Sequence, residues 1–267
     1  MSFVQHPARI VPDPTRPTIG RISLVGAGPG AADLMTLRAI RCLGQADVVF
    51  YDRLVDPETL GFAHPAAERV FVGKEVGAHA WPQDRINAAI VTAALQGKQV
   101  VRLKSGDPSV FGRASEEIAA ARAHGIVVEV IPGVTAAMAA AASLCQPLTE
   151  RGVTDRVVLT TGTCREGDSL SDLRDLAHPG TTLVFYMAMK QLAGLTRDLL
   201  AAGIDSGQDV TVASDVSRRS ARHLQTTLAR MEADCAAAGI GNPAVILLHL
   251  PKQVGVMPGA VQRAAQA

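Results

Sequence analysis

Apolar residues in the first half of the chain come in short bursts, each closed by a glycine, a proline or a charged residue. Arg21–Val25, Asp47–Tyr51, Glu68–Val72, Gln99–Leu103 and Ile126–Ile131 have this form, which predicts buried strands of a parallel sheet. Between them, Asp33–Gln45, Asp84–Gln96 and Arg113–His124 repeat apolar side chains at helical spacing. Strands alternating with helices in this way imply a mostly parallel sheet covered on its faces. Pro132-Gly133 interrupts the pattern, and an Ala-rich helix over Thr135–Ala142 follows.

The second half has a different rhythm. Arg156–Thr161, Thr181–Tyr186, Val210–Ala213, His223–Leu228 and Ala244–Leu250 read as strands, but only Gln191–Ala202 and Leu228–Ala238 read as clear helices. That is too few helices for a second doubly wound unit, so a mixed sheet with hairpin connections is predicted. The chain is therefore read as two-domain α/β. A flexible N-terminal tail covers 1–18, an N-terminal α/β domain 19–132, a C-terminal α/β domain 133–252 and a flexible C-terminal tail 253–267.

Composition narrows the partners. Hydrophobic residues make up 48% of the chain and aromatics only 3%, so the core is expected to be Ala, Val and Leu. Lys and Arg number 26 against 25 acidic residues, a net charge of +1 that leaves no footprint for nucleic acid or an anionic membrane. Any basic patch must be local. Residues 1–18 are polar and proline-rich with no apolar centre, and Val134–Leu148 is too short to span a bilayer, so a cytoplasmic protein is expected. Cys42, Cys145, Cys164 and Cys235 lack metal-clip spacing and the histidines form no ligand cluster, so no metal is expected.

Two glycine turns carry the candidate chemistry. Gly26-Ala-Gly28-Pro29-Gly30-Ala31 can be written as a dinucleotide-type turn with Asp47 or Asp52 as the ribose acid, which keeps a nicotinamide-dependent oxidoreductase open. Pro29 weakens that reading by deleting a backbone donor, and a plain tight strand-to-helix turn explains Gly28 and Gly30 equally well. Lys104-Ser-Gly-Asp107-Pro108 is no phosphate loop. A carboxylate at a strand mouth repels phosphate but suits an amine or a sulfonium, as S-adenosylmethionine carries; the alternative is Asp107 as a helix cap before Pro108. Asp52, Arg53 and Lys74 each follow a strand, on the edge where sites form, although surface charge alone would also place them there. Arg113 with Glu116 or Glu117 has the spacing of a solvated helical ion pair, worth on the order of a few tenths of a kcal/mol.

Taken together, Gly26-Ala-Gly-Pro-Gly30, Asp33-Leu-Met-Thr-Leu37, Tyr51-Asp-Arg-Leu-Val55, Val72-Gly-Lys74, Arg102-Leu-Lys-Ser-Gly-Asp-Pro108, Val110-Phe-Gly-Arg113 and Ile131-Pro-Gly-Val-Thr-Ala136 resemble the tetrapyrrole methylase family. The resemblance runs from about residue 20 to residue 250. It implies that family's two-domain fold, a mostly parallel N-terminal sheet and a mixed C-terminal one with the active site in the cleft between, and a homodimer. It also implies S-adenosylmethionine as methyl donor, with S-adenosylhomocysteine as product, and a tetrapyrrole substrate. The implied reaction is methylation of uroporphyrinogen III at C2 and C7 to precorrin-2; the alternative is a later precorrin such as precorrin-4.

By position, the resemblance assigns the cofactor to Pro29, Ser105, Gly106, Asp107, Val110, Thr135, Ala136, Met187, Val216 and Ala244. It gives Asp52 and Lys74 proton-acceptor and proton-donor roles, and it turns Arg113, Glu116 and Arg151 towards the tetrapyrrole, with Arg113 also a candidate in catalysis; Arg53 joins the substrate residues because a guanidinium can bind a carboxylate bidentately. Four departures stand out from the family pattern. Ser105 replaces a usual glycine, Ser109 a bulky apolar residue, Ala114-Ser115 a Gly-Gly pair, and Ser214-Asp-Val216 a Glu-Asn-Gly-like loop.

Overall fold

The computed structural model describes residues 19–73, 81–162 and 173–252. The tails expected at 1–18 and 253–267 lie outside these residues, and so does Lys74. The chain divides into two compact units, the first ending at Thr135 and the second beginning at Ala136.

The first unit is built on β1 (Arg21–Gly26), β2 (Val48–Tyr51), β3 (Glu68–Phe71), β4 (Gln99–Lys104) and β5 (Val127–Ile131). They form one sheet in the order β3-β2-β4-β1-β5 with every pair parallel. Successive side chains of a strand point to opposite faces, so each burst of apolar residues feeds two cores. On one face Val25, Val49, Val101 and Leu103 pack against Ala39 and Leu43 of α1 (Leu37–Leu43) and Leu60 of α2 (Pro57–Leu60). On the other, Ile22, Leu24, Val48, Phe50 and Val100 pack against Ile86 and Ile90 of α3 (Gln83–Leu95) and Ala121 of α4 (Ala114–Arg122). Each Val, Leu, Ile or Phe side chain fully buried in this way contributes roughly 1.5–3 kcal/mol.

This strand order creates a switch point. The crossover from β1 to β2 steps one way along the sheet, whereas that from β4 to β5 steps the other way. With right-handed crossovers, the chains leaving these two neighbours turn to opposite faces, which opens a crevice at their carboxyl ends.

Three helix starts differ from expectation, one of them that of the helix read from Leu228, which begins only at Met231. Asp33–Gln45 is not one helix: a 3-10 turn at Ala32–Leu34 is followed by extended backbone at Met35 and Thr36, and α1 starts only at Leu37. The cause is Thr36, whose Oγ1 accepts from the Ala39 N–H at 3.2 Å and so caps a new helix. Arg113, expected as the first residue of a helix, lies outside α4 with a left-handed φ of 55°.

The second unit holds β6 (Arg156–Thr161), β7 (Thr181–Tyr186), β8 (Asp209–Ser214), β9 (Arg222–Thr227) and β10 (Ala244–Leu250) in the order β6-β7-β10-β8-β9. Only β6 and β7 are parallel; β10 runs antiparallel to both its neighbours, and β8–β9 is a hairpin. The sheet is mixed, as the sparse helices implied. Central β10 is buried at Val245–Leu248, and Ile246 and Leu248 pack with Leu183, Phe185, Val210 and Val212. Leu195 and Leu199 of α7 (Leu192–Ala201) and Met231 of α8 (Met231–Ala238) complete that core. The remaining helices are α5 (Ala136–Ser143) and the single-turn α6 (Leu173–Leu176). Among the described residues, no helix is long and apolar enough to cross a membrane.

Candidate active site

Three turns meet at the carboxyl edge of the parallel sheet, one each from β1, β4 and β5. The Gly28 N–H donates to the Gly106 carbonyl at 3.2 Å and the Gly106 N–H returns to the Gly28 carbonyl at 2.7 Å. The third turn presses in between: a Cβ on Gly133 would stand 2.3 Å from the Gly106 carbonyl oxygen, and one on Gly26 would stand 2.6 Å from the Gly133 nitrogen. Only glycine permits backbones this close. Thr135, buried, has its Cα 3.8 Å from the place a Gly106 side chain would take. Pro29, Ser105, Gly106, Asp107 and Thr135 are thus brought together at the switch point.

Asp107 fastens these turns. Its Oδ2 accepts from the Gly133 N–H at 3.0 Å and its Oδ1 from the Ser109 N–H at 2.7 Å. The second bond closes a tight Asx turn that continues through Val110, whose N–H donates to the Asp107 carbonyl at 3.1 Å. Asp107 is therefore not a helix cap, since α4 begins only at Ala114. Each carboxylate oxygen keeps a further lone pair for a ligand. The turn at Gly26–Ala31 does not open directly onto an α-helix, which a dinucleotide fingerprint requires, and Gly28's N–H is already spent on Gly106.

Asp52 follows β2 on the same sheet edge. Its Oδ1 accepts from the Leu54 N–H at 3.1 Å, and its Oδ2 meets Arg102 Nη2 at 3.2 Å. Arg102 and Lys104 alternate with apolar residues along β4 on the face covered by α3 and α4, and they reach Glu117 of α4. Arg102 Nε donates to Glu117 Oε1 at 3.1 Å, while Lys104 Nζ donates to Glu117 Oε1 and Oε2 at 2.9 and 2.8 Å. All three side chains are buried, Glu117 completely. Burial, followed by the neighbouring Arg102 charge, pulls the Lys104 ammonium below the usual lysine value, against the opposing pull of Glu117.

Glu117 is thus not part of the exposed pair read at Arg113. That pair is with Glu116 alone: Arg113 Nε and Nη2 donate to Glu116 Oε1 and Oε2, both at 2.7 Å. The bidentate bond holds Arg113 above its already high arginine value, so Arg113 is suited to grip a carboxylate rather than accept a proton. Arg53 is exposed beside Asp52.

In the second unit, Met187 follows β7, Val216 follows β8 and Ala244 opens antiparallel β10, so the three sit at one end of that sheet. The Asp215 N–H donates to the Pro243 carbonyl at 2.9 Å, tying two of these turns. The Tyr186 hydroxyl accepts from the Ala137 N–H at 3.0 Å, which brings Ala136 and the start of α5 to the same end. Arg151 is exposed in a turn closed by the Glu150–Thr154 bridge, near Lys252 and hence at the other end of the sheet. At two departures from the family pattern, the residue standing in place of the usual glycine needs no left-handed torsion. Ser105 and Val216 are not among the residues with positive φ; Asp215 and Ser217, at 48° and 64°, take the left-handed torsions instead.

The Arg102–Glu117–Lys104 group escaped sequence reasoning. A signal existed in the alternation of Val100, Arg102 and Lys104 on one strand face, but their partner lies 13 residues beyond Lys104 on another element.

The family model of the tetrapyrrole (corrin/porphyrin) methylases matches residues 21–232. A siroheme synthase from Chromobacterium violaceum is 45% identical over 233 residues, 86% of this chain and 49% of that protein. One from Pseudomonas aeruginosa is 50% identical over 184 residues, 69% of this chain and 40% of that protein. The chain spans about half the length of the curated relatives it matches. Among solved structures, uroporphyrin-III C-methyl transferase from Thermus thermophilus, complexed with S-adenyl homocysteine, aligns with a TM-score of 0.72 at 35% identity, covering 86% of this chain and 92% of that one. A cobalamin biosynthetic enzyme, cobalt precorrin-4 methyltransferase, aligns with a TM-score of 0.78 at 28% identity, covering 90% and 98%. Since the family model takes in both sheets apart from β10, this chain belongs to the tetrapyrrole (corrin/porphyrin) methylases.

Proposed function

We propose that this chain is a C-methyltransferase that uses S-adenosylmethionine to methylate uroporphyrinogen III at C2 and then C7, yielding precorrin-2 and two S-adenosylhomocysteines. The observation that carries the reading is the bonded junction of the β1, β4 and β5 turns at the switch point, floored by glycines and edged by Asp107. A ligand with an amine and a sulfonium but no phosphate fits there: Pro29 removes a donor and Asp107 supplies negative charge. Pro29, Ser105, Gly106, Asp107, Val110 and Thr135 would hold the donor, and Ala136, Met187, Val216 and Ala244 are assigned to it by the family resemblance.

The donor supplies an already activated methyl group, so the chain's residues need only align the substrate and manage a proton. Methylation makes the attacked ring carbon quaternary and leaves the positive charge on the ring system; Asp52, at the end of β2, takes the proton that this cation loses from another of its atoms, and Lys74 is the proposed donor. Arg53, Arg113 with Glu116, and Arg151 grip peripheral carboxylates, for which a guanidinium fork is suited. The reading includes a homodimer in the cytoplasm.

A second reading, methylation of a later precorrin, has the likeness to the precorrin-4 methyltransferase in its favour. Purified protein is incubated with methyl donor and either uroporphyrinogen III or precorrin-4, and product mass is followed. The expected gain is two methyl groups on uroporphyrinogen III and none on precorrin-4. The reverse pattern would replace the first reading with the second, and no gain on either would reject both.

A further inference from the structure

Arg102 occupies a strand position facing the α3 and α4 core, where Val100 of the same strand face is fully apolar. Its guanidinium is 5% exposed and is committed on every side: Nε to Glu117 Oε1, Nη1 to the Leu103 carbonyl at 2.9 Å and the Phe50 carbonyl at 3.4 Å, and Nη2 to Asp52 Oδ2 at 3.2 Å. A planar group held by four acceptors cannot pivot. Glu117, wholly buried, has its other attachments in Lys104 Nζ and, at 3.3 Å, Gln83 Nε2 of α3. The chain of contacts therefore runs from two core helices, through β4, to one oxygen of an aspartate on the site edge.

Stability does not account for it. Burying ions costs several kcal/mol each, and well-packed apolar residues of similar volume are often as stable or more so. A buried ionic group that ends on the one partly exposed carboxylate of the set suggests that the fixed position of that carboxylate is what the group secures. Asp52's other oxygen is set by its own turn, through Leu54; Oδ2 depends on Arg102.

We propose that Arg102, itself fixed by Glu117, is a positioning residue that holds the Asp52 carboxylate in the orientation needed to take the proton. This rests on the reading of Asp52 as the base. Glu117 aligns Arg102, and Lys104 balances the second Glu117 oxygen.

The test uses Arg102→Lys and Glu117→Gln, each alone and combined with Asp52→Asn, in steady-state methyl transfer. S-adenosylhomocysteine affinity and the urea unfolding midpoint are measured alongside. Lysine keeps the charge but cannot bridge Glu117 and Asp52 at once. Arg102→Lys is expected to lower kcat about tenfold with little change in KM or in cofactor affinity, because a misplaced base costs rate rather than binding. In the Asp52→Asn background it should cost nothing further. Glu117→Gln should act in the same direction, and it serves alone if Arg102→Lys does not fold.

An equal loss in both backgrounds, or none in either, overturns the positioning role while leaving Asp52 as the base. Full turnover in Asp52→Asn instead removes the base assignment, and this inference with it. If Asp52→Asn has no measurable turnover, the single variants decide: loss of kcat alone supports the role, and parallel loss of cofactor affinity and stability overturns it.

Discussion

At the residue scale the site depends on how completely Asp107 spends its carboxylate on backbone. One oxygen holds Ser109 and the other Gly133, so two turns from different strands lean on a single side chain. Asparagine has the same shape but only one acceptor oxygen, and its amide would confront one of the two N–H groups. Asp107→Asn is expected to lose about 1 kcal/mol of stability, since the donor left unmet is either the part-buried Gly133 N–H or the exposed Ser109 N–H. Urea denaturation reads that loss, and calorimetry with S-adenosylhomocysteine should show weaker binding in step with it. An unchanged midpoint would mean that water replaces the carboxylate at Gly133. The acid at the strand tip was legible in the sequence because its neighbours Gly106 and Pro108 mark a turn. Its partner Gly133 was not, since the two are 26 residues apart and only the sheet joins them. The same holds for Arg102: in sequence it interrupts an apolar run, and its meaning appears only when Glu117 arrives from α4.

At the element scale, strands were read more faithfully than helices, and for a physical reason. A buried parallel strand shows itself as a compact apolar run with a turn residue at its end, as in β1 and β4. The bonds that set a helix boundary are local side-chain choices that periodicity overlooks. Apolar spacing carried on smoothly from Leu34 to Leu43, yet Thr36 divides that stretch by accepting the Ala39 N–H. The single-turn helices α2 and α6 are too short for any period to register. Thr36→Ala removes the cap acceptor and should cost about 1 kcal/mol. Serine at this position, able to accept the same bond, should restore most of it. The check is a thermal or urea midpoint for both variants; an alanine variant as stable as the parent would show that packing of Ala39 and Leu43 alone starts α1.

At the scale of the whole molecule, a net charge of +1 must be reconciled with the proposed substrate, which carries many carboxylates. A chain with almost no net charge cannot draw an anion from afar, so under the proposed function recognition falls to exposed arginines at close range, Arg53 and Arg113 foremost, since Arg151 lies at the other end of the second sheet from Met187 and Ala244. Screening then acts on a few contacts rather than on a broad field. Raising ionic strength from about 0.05 to about 0.5 M shrinks the screening distance to a few ångströms and should lower kcat/KM for uroporphyrinogen III by less than about tenfold. The affinity for S-adenosylhomocysteine, whose proposed hold is backbone and the tied-down Asp107, should stay within about twofold over the same range. Rates measured at subsaturating substrate, with calorimetry for the product, separate the two ligands. A fall of several hundredfold would reveal a concentrated positive funnel that the balanced composition argues against. Complete indifference to salt would mean that the arginines do not meet the carboxylates at all, and the substrate would then have to be held by shape.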